Sequence, residues 1–114
     1  MAGRFFKRRT RSTRDYAGAF EYDGETAYFY LWKGPSDPDS KITGCIHVLT
    51  GAPDFHKGDI EIRWNADETM VGLFIRQQLW AAFDSTSEEP YGGDYRANAD
   101  PILPMAVASS FRRH

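Results

Sequence analysis

Cys45 and His47 stand two residues apart. In an extended segment that spacing puts both side chains on one face. A thiolate nucleophile and its base are built from such a pair. Catalysis also needs a third group to orient the imidazole, and none stands beside them. The alternative is a small core cysteine next to a partly exposed histidine. No Gly-x-Ser-x-Gly elbow is present. The histidines are His47, His56 and His114. With Cys45 and Asp54 they offer pairs of metal ligands, not three or four at a fixed spacing. Asp37-Pro38-Asp39-Ser40 lacks the central glycine and distal glutamate of a calcium loop. Gly92-Gly93 is not followed by the lysine and helix of a phosphate loop. The sequence therefore reads as a chain without metal, without cofactor and without a catalytic constellation.

Carboxylates are plentiful. Glu21, Asp23 and Glu25 cluster at one turn, Asp59 and Glu61 share a strand face, and Glu88-Glu89 lie in a loop. Acid–base chemistry would need two of them converging on a cleft with separated pKa values. A solvated acidic face is the simpler reading, and such a face steers association with basic partners. Glu21, Asp23, Glu25, Asp59 and Glu61 are accordingly the expected protein-binding residues, with Tyr28 or Tyr30 joining them where exposed. The cations lie elsewhere. Residues 1–14 hold Arg4, Lys7, Arg8, Arg9, Arg11 and Arg14 and no acid, a net +6. Residues 15–111 carry a net −10, and Arg112 and Arg113 add +2. The formal charge of −2 is thus an average over an acidic body and basic ends. Arg4, Lys7, Arg8, Arg9 and Arg11, with Phe5 and Phe6 for stacking, are the alternative site, for nucleic acid.

The elements that position these groups read as strands. Ala19 to Tyr22 runs into Asp23-Gly24, a strong hairpin signal. Thr26 to Trp32 follows, aromatic on both faces, and is expected to be a central strand covered on both sides. Lys41 to Leu49 puts Ile42, Gly44, Ile46 and Val48 on one face and Thr43, Cys45, His47 and Leu49 on the other. Asp59 to Asn65 alternates, with Ile60, Ile62 and Trp64 inward. Thr69 to Ile75 is strongly apolar, with Gly72 marking a bulge or a close approach. Leu79 to Phe83 returns the chain. Ser85 to Asn98 reads as a long surface loop. Ile102 to Phe111 reads as either a last strand or a helical turn. The expected architecture is one mainly β domain over residues 16–114, an antiparallel sheet folded as a sandwich or open barrel. Residues 1–15 are expected to be a flexible basic arm.

The stretch Glu21-Tyr22-Asp23-Gly24-Glu25-Thr26-Ala27-Tyr28-Phe29-Tyr30 resembles the opening motif of a family of small bacterial proteins of unknown function. Ile46-His47-Val48, Asp59-Ile60-Glu61-Ile62-Arg63-Trp64 and Leu79-Trp80-Ala81-Ala82-Phe83-Asp84 are similar in order and spacing. The resemblance covers roughly residues 19–84, and the basic segment and residues 85–114 depart from the pattern. It implies a bacterial, mainly β protein and no reaction. Small acidic proteins of this kind are similar in character to immunity proteins that neutralise toxins.

The chain's 114 residues suffice for one core without disulfides. With 41% apolar and 15% aromatic residues it is too rich for a disordered chain. No apolar run reaches the roughly 18 residues of a membrane span. The first residues lack the apolar stretch of a secretory or twin-arginine signal, and Gly3 is one place late for myristoylation. Their arginines crowd all faces of a helix, against a mitochondrial transit peptide. The expected location is cytoplasmic. The expected activity is non-enzymatic protein binding with an immunity or antitoxin-like role. The alternatives are a nucleic-acid-associated protein, and a small hydrolase or ligand-binding barrel near Cys45, His47 and loop 85–98. Self-association into a homo-oligomer through an exposed edge strand is open as well.

Overall fold

A turn that closes on its own side chain starts the fold. In the computed structural model, which describes residues 4–112, Gly24 takes a φ of 101° between two paired strands. Asp23 caps the turn by accepting the backbone N–H of Glu25 and Thr26 at 2.9 and 2.8 Å. The strands it joins are β2 (Tyr16–Tyr22) and β3 (Thr26–Lys33). With β1 (Phe5–Thr10) and β4 (Lys41–Thr50) they form a four-stranded antiparallel sheet in the order β1-β2-β3-β4. A second antiparallel meander repeats the plan with β5 (Ile60–Trp64), β6 (Met70–Ile75), β7 (Gln78–Asp84) and β8 (Pro90–Gly92). Arg76 and Gln77, both at positive φ, make the tight turn between β6 and β7 without a glycine.

The two sheets face one another over a shared core. Phe20, Phe29 and Leu31 of the first sheet meet Ile62, Leu73 and Phe83 of the second. Phe29 and Phe83 sit 5.5 Å apart across the gap. Gly18 lets the sheets approach: a Cβ there would lie 2.5 Å from Val71 Cγ2. Along the β1–β5 edge the sheets are joined by side chains instead of a backbone ladder. Lys7 Nζ donates to the Ile60 carbonyl at 2.6 Å and Trp64 Nε1 to the Arg9 carbonyl at 3.1 Å. The architecture is therefore a sandwich, with no closed barrel.

The outer face of the second sheet is capped by the chain's own C-terminal segment. Ile102 to Phe111 resolves into a helix, α1 (Met105–Ser110), whose Val107 packs on Met70 and Ala82, with Leu103 and Phe111 beside it. A Cβ on Gly72 would meet Leu79 and Phe111, so this glycine marks a close approach. The expected loop 85–98 contains β8, and its Asp94 and Tyr95 N–H groups bond to the β4 carbonyls of His47 and Val48 at 3.0 and 2.7 Å.

Three expectations need correction. Ile42 does not share the inward face of Gly44 and Ile46, and Leu49 does not share the face of Cys45 and His47: register shifts at the two ends of β4 set Ile42 opposite the outward Trp32 and Leu49 opposite the buried Ala27. Residues 5–10 are not a flexible arm. They form β1, paired from Phe5↔Tyr22 to Thr10↔Ala17, with Phe5 packed 5.8 Å from Phe20 and 5.6 Å from Tyr22. The cations fall on both faces and hide the alternation, and they serve as the charged guard of an edge strand. Met1, Ala2 and Gly3 of the expected arm lie outside the described residues. Nor is β3 covered on both sides. Ala27, Phe29 and Leu31 are buried, whereas Tyr28, Tyr30 and Trp32 point away from the core and are only partly buried.

Candidate functional site

The outward side chains of the first sheet form a grid set by strand register. One row reads Phe6, Glu21, Tyr28 and His47, the next Arg8, Ala19, Tyr30 and Cys45, the third Thr10, Ala17, Trp32 and Ile42. Small residues on β2 explain the relief. Ala17 and Ala19 leave a shallow floor, over which Arg8 lays its guanidinium 5.0 Å from the Trp32 ring. Tyr28 and Tyr30 stack at 6.0 Å, and His47 meets Tyr28 edge-on at 5.8 Å. Phe6 and Ile42, 46% and 49% exposed, bracket the patch from the two edge strands. Aromatic side chains with one arginine, gathered on an open face, have the composition of an interface centre.

The electrostatics are muted at the middle of this face. Tyr30 Oη donates to Glu21 Oε1 at 3.3 Å. Desolvation, helped by the Glu21 charge, pushes the Tyr30 phenol up to about 12, so it remains a neutral donor. Cys45 is exposed on this face, and desolvation by its neighbours pushes its thiol up, which favours the protonated form and makes it a poor nucleophile.

The Cys45–His47 pair does share a face, but His47 is engaged elsewhere. Its Nδ1 lies 3.0 Å from Asp94 Oδ1 and its Nε2 2.8 Å from Thr50 Oγ1. Hydroxyl, imidazole and carboxylate stand in the order used by acyl-transfer sites. Here Asp94 is 82% exposed and the group lies in open solvent. Together with the backbone bonds of residues 94 and 95, it ties the irregular segment after β8 to the edge of β4.

The five expected acidic residues are not gathered into one surface. Glu21 lies on the grid, with Asp23 and Glu25 at the adjoining hairpin. Asp23 is engaged structurally: its two backbone hydrogen bonds hold its carboxyl below the usual range. Asp59 and Glu61 lie on the second sheet's side. Asp59 accepts the His56 N–H at 2.9 Å, and Glu61 stands 3.3 Å from Arg63 Nε. The five expected cations are likewise divided. Arg4 Nε donates to the Asp23 carbonyl at 3.0 Å, Lys7 bridges to β5, and Arg8 covers Trp32. Arg11 pairs with Asp15, and Arg9 is exposed along the edge. Tyr28, Tyr30 and Glu21 of the grid were among the expected protein-binding residues, whereas Phe6, Trp32 and Ile42 were not. The missing signal is lateral register, which brings β1 and β4 beside β2 and β3 only through long-range contacts.

Residues 2–101 match a family model described as an uncharacterized protein conserved in bacteria (DUF2251). The chain belongs to this family. The match takes in β1 and every strand of both sheets, beyond the 19–84 span of the resemblance noted above, so the basic segment is part of the family's domain. Helix α1 lies after it. No curated protein and no solved structure matches the chain. No helix among the described residues is long and apolar enough to cross a membrane.

Proposed function

We propose that the protein is a non-enzymatic protein-binding module whose outer face of the first sheet docks a partner. The observation that carries this reading is the asymmetry of cover. The second sheet's outer face is covered by Leu103, Val107 and Phe111, although Ile102 and Met105 of the covering segment are exposed, whereas the first sheet's face presents exposed Phe6 and Ile42 beside the partly buried Tyr28, Tyr30 and Trp32. Contiguous exposed apolar surface on a small protein marks an interaction site. The acidic hairpin of Glu21, Asp23 and Glu25 at one end favours a basic partner, and an immunity or antitoxin-like role is the concrete form of the proposal.

The test is site-specific photo-crosslinking in the bacterial host. A photoreactive side chain placed at Phe6, Tyr30 or Ile42 is expected to capture a protein of one common mass, and the same group at Glu89 to capture none. Trp32→Ala should weaken capture by at least about 30-fold, the loss typical of an interface anchor. Glu25→Lys, which leaves the turn's capping bonds intact, should weaken capture of a basic partner. Equal capture from the face and from Glu89, or none from the face, overturns the reading.

A further inference from the structure

The seam between β1 and β5 carries a second feature, which does not rest on the docking face. Three hollows follow one another around β5 through shared walls. The first, about 290 Å³, lies between Lys7, Arg9 and Glu61. The second, about 580 Å³, shares Arg9 and is walled by Arg63 and Trp64. The third, about 390 Å³, shares Arg63 and Trp64 and ends at Arg112. Cations therefore mark the whole length of this groove on a protein whose body is otherwise acidic.

Three carboxylates, Glu61, Asp67 and Glu68, also line it and keep their charge, so the cations prevail only by excess. Glu68 accepts the Ser12 hydroxyl and backbone N–H, and Asp67 accepts the Thr69 hydroxyl at 2.8 Å. Glu61 faces Arg63. Arg9 and Arg112 are exposed and form no ion pair among the described residues. The Arg63 guanidinium is held 3.9 Å over the Phe74 ring. Its Nε is buried, and Glu61 Oε1, though 3.3 Å away, is out of line for a hydrogen bond. Trp64 is fixed by its Nε1 bond to the Arg9 carbonyl and by Arg11 lying 5.4 Å over its ring. The indole is partly buried against the core, and the part left open stands between cations along the groove.

We infer that this seam binds single-stranded nucleic acid, with Arg9, Arg63 and Arg112 on successive phosphates and Trp64 as a surface for a base. Cationic grooves with an aromatic platform hold single strands in this way. A duplex is disfavoured because, among the described residues, neither a helix nor a two-stranded ribbon projects from the seam to enter a major groove.

Fluorescence anisotropy with a labelled oligothymidylate at low ionic strength tests the inference on the full chain. Binding is expected, and with Lys7 included the logarithm of affinity should fall with the logarithm of salt at a slope of about −3. Arg9→Glu should lower affinity at least tenfold. Lys41→Glu makes the same charge change on β4, three strands or about 14 Å away; compared at about 0.15 M salt, where the screening length is about 8 Å, it should stay within about twofold. Circular dichroism checks that both variants are folded. The labelled duplex and heparin, which has charge but no bases, should bind more weakly than the single strand. Absence of binding, equal losses in the two variants, or heparin binding as tight as the oligonucleotide each overturns the inference. None of these results touches the outer face of the first sheet, so the two readings fail separately.

Discussion

Arg11→Ala is the substitution that most directly tests how the basic segment joins the fold. The Arg11 side chain is only 18% exposed. Nε and Nη2 grip Asp15 at 2.9 and 2.6 Å, while Nη1 donates to the Glu68 carbonyl at 2.9 Å and to Ser85 Oγ at 3.1 Å. The guanidinium also lies 5.2 Å from the Tyr16 ring and 5.4 Å from Trp64. Ser85 is the one buried polar side chain among the described residues, and it still donates to the Thr69 carbonyl when Arg11 is gone. What the alanine variant loses is the Asp15 pair, two bonds to neutral acceptors and the packed stem. The Asp15 carboxylate is half-exposed, so its pair contributes about 1 kcal/mol after solvent screening. The two inner bonds and the stem add about 2 kcal/mol. Urea denaturation followed by tryptophan fluorescence should therefore show a loss of about 3 kcal/mol. Asp15→Asn should lose about 1 kcal/mol. A loss below about 0.5 kcal/mol for Arg11→Ala, the level of an ordinary surface change, would refute this account and return the segment to solvent.

The same brace sets a pH signature. The Arg11 hydrogen bond, with help from Thr13, holds the Asp15 carboxyl at about 2. In the unfolded chain this group titrates near the ordinary value of 3.8. A carboxyl depressed on folding contributes fully above the unfolded pKa, and that contribution is lost as pH falls through the folded one. Stability should thus drop between about pH 4 and pH 2 in the wild type. In Arg11→Ala the part of that drop due to Asp15 should be smaller, with the Thr13 bond still in place.

Gly18→Ala, which drives a methyl group to 2.5 Å from Val71, should cost about 1–3 kcal/mol in urea denaturation. Phe6→Ser and Ile42→Ser should change stability by less than about 0.5 kcal/mol yet shorten retention on a hydrophobic-interaction column, since both side chains are nearly half-exposed. Asp23→Ala should lower the thermal midpoint because two backbone N–H groups lose their acceptor, whereas Glu25→Ala should leave it unchanged.

Strand existence was legible wherever alternation or turn chemistry was strong. Asp23-Gly24 marked the first hairpin, and the spacing of Ile60, Ile62 and Trp64 marked the inward face of β5. The family expectation of a bacterial, mainly β protein also holds. Three features were hidden for physical reasons. In β1 the apolar signal is one inward phenylalanine, since Lys7 and Arg9 occupy the other inward positions at the sheet's open edge. Aromatic residues on both sides of β3 looked like double burial, because tyrosine and tryptophan serve cores and open interfaces equally well. The acidic residues looked like one surface because sequence proximity says nothing of which sheet a strand joins. Register then separated Glu21 from Glu61.

Both sheets have an apolar outer face, and the described residues cover only one. Met70, Ala82 and Phe74 would lie open on the second sheet, but Val107 and Phe111 cover them, the latter edge-on to Phe74 at 5.5 Å. That cover comes from residues beyond the family match, whereas the aromatic grid lies wholly within it. Burying a large side chain completely contributes about 1.5–3 kcal/mol, so the nearly half-exposed Phe6 and the partly buried Tyr30 and Trp32 each leave a fraction of that unrealised. Solvent-facing strand positions accept threonine, lysine or glutamate without loss, as Thr10 and Glu21 show on the same face. Aromatic residues at three adjacent rows are therefore not required by the fold. A partner laid over them would do for the first sheet what α1 does for the second, and its binding energy would be the burial that folding leaves unused.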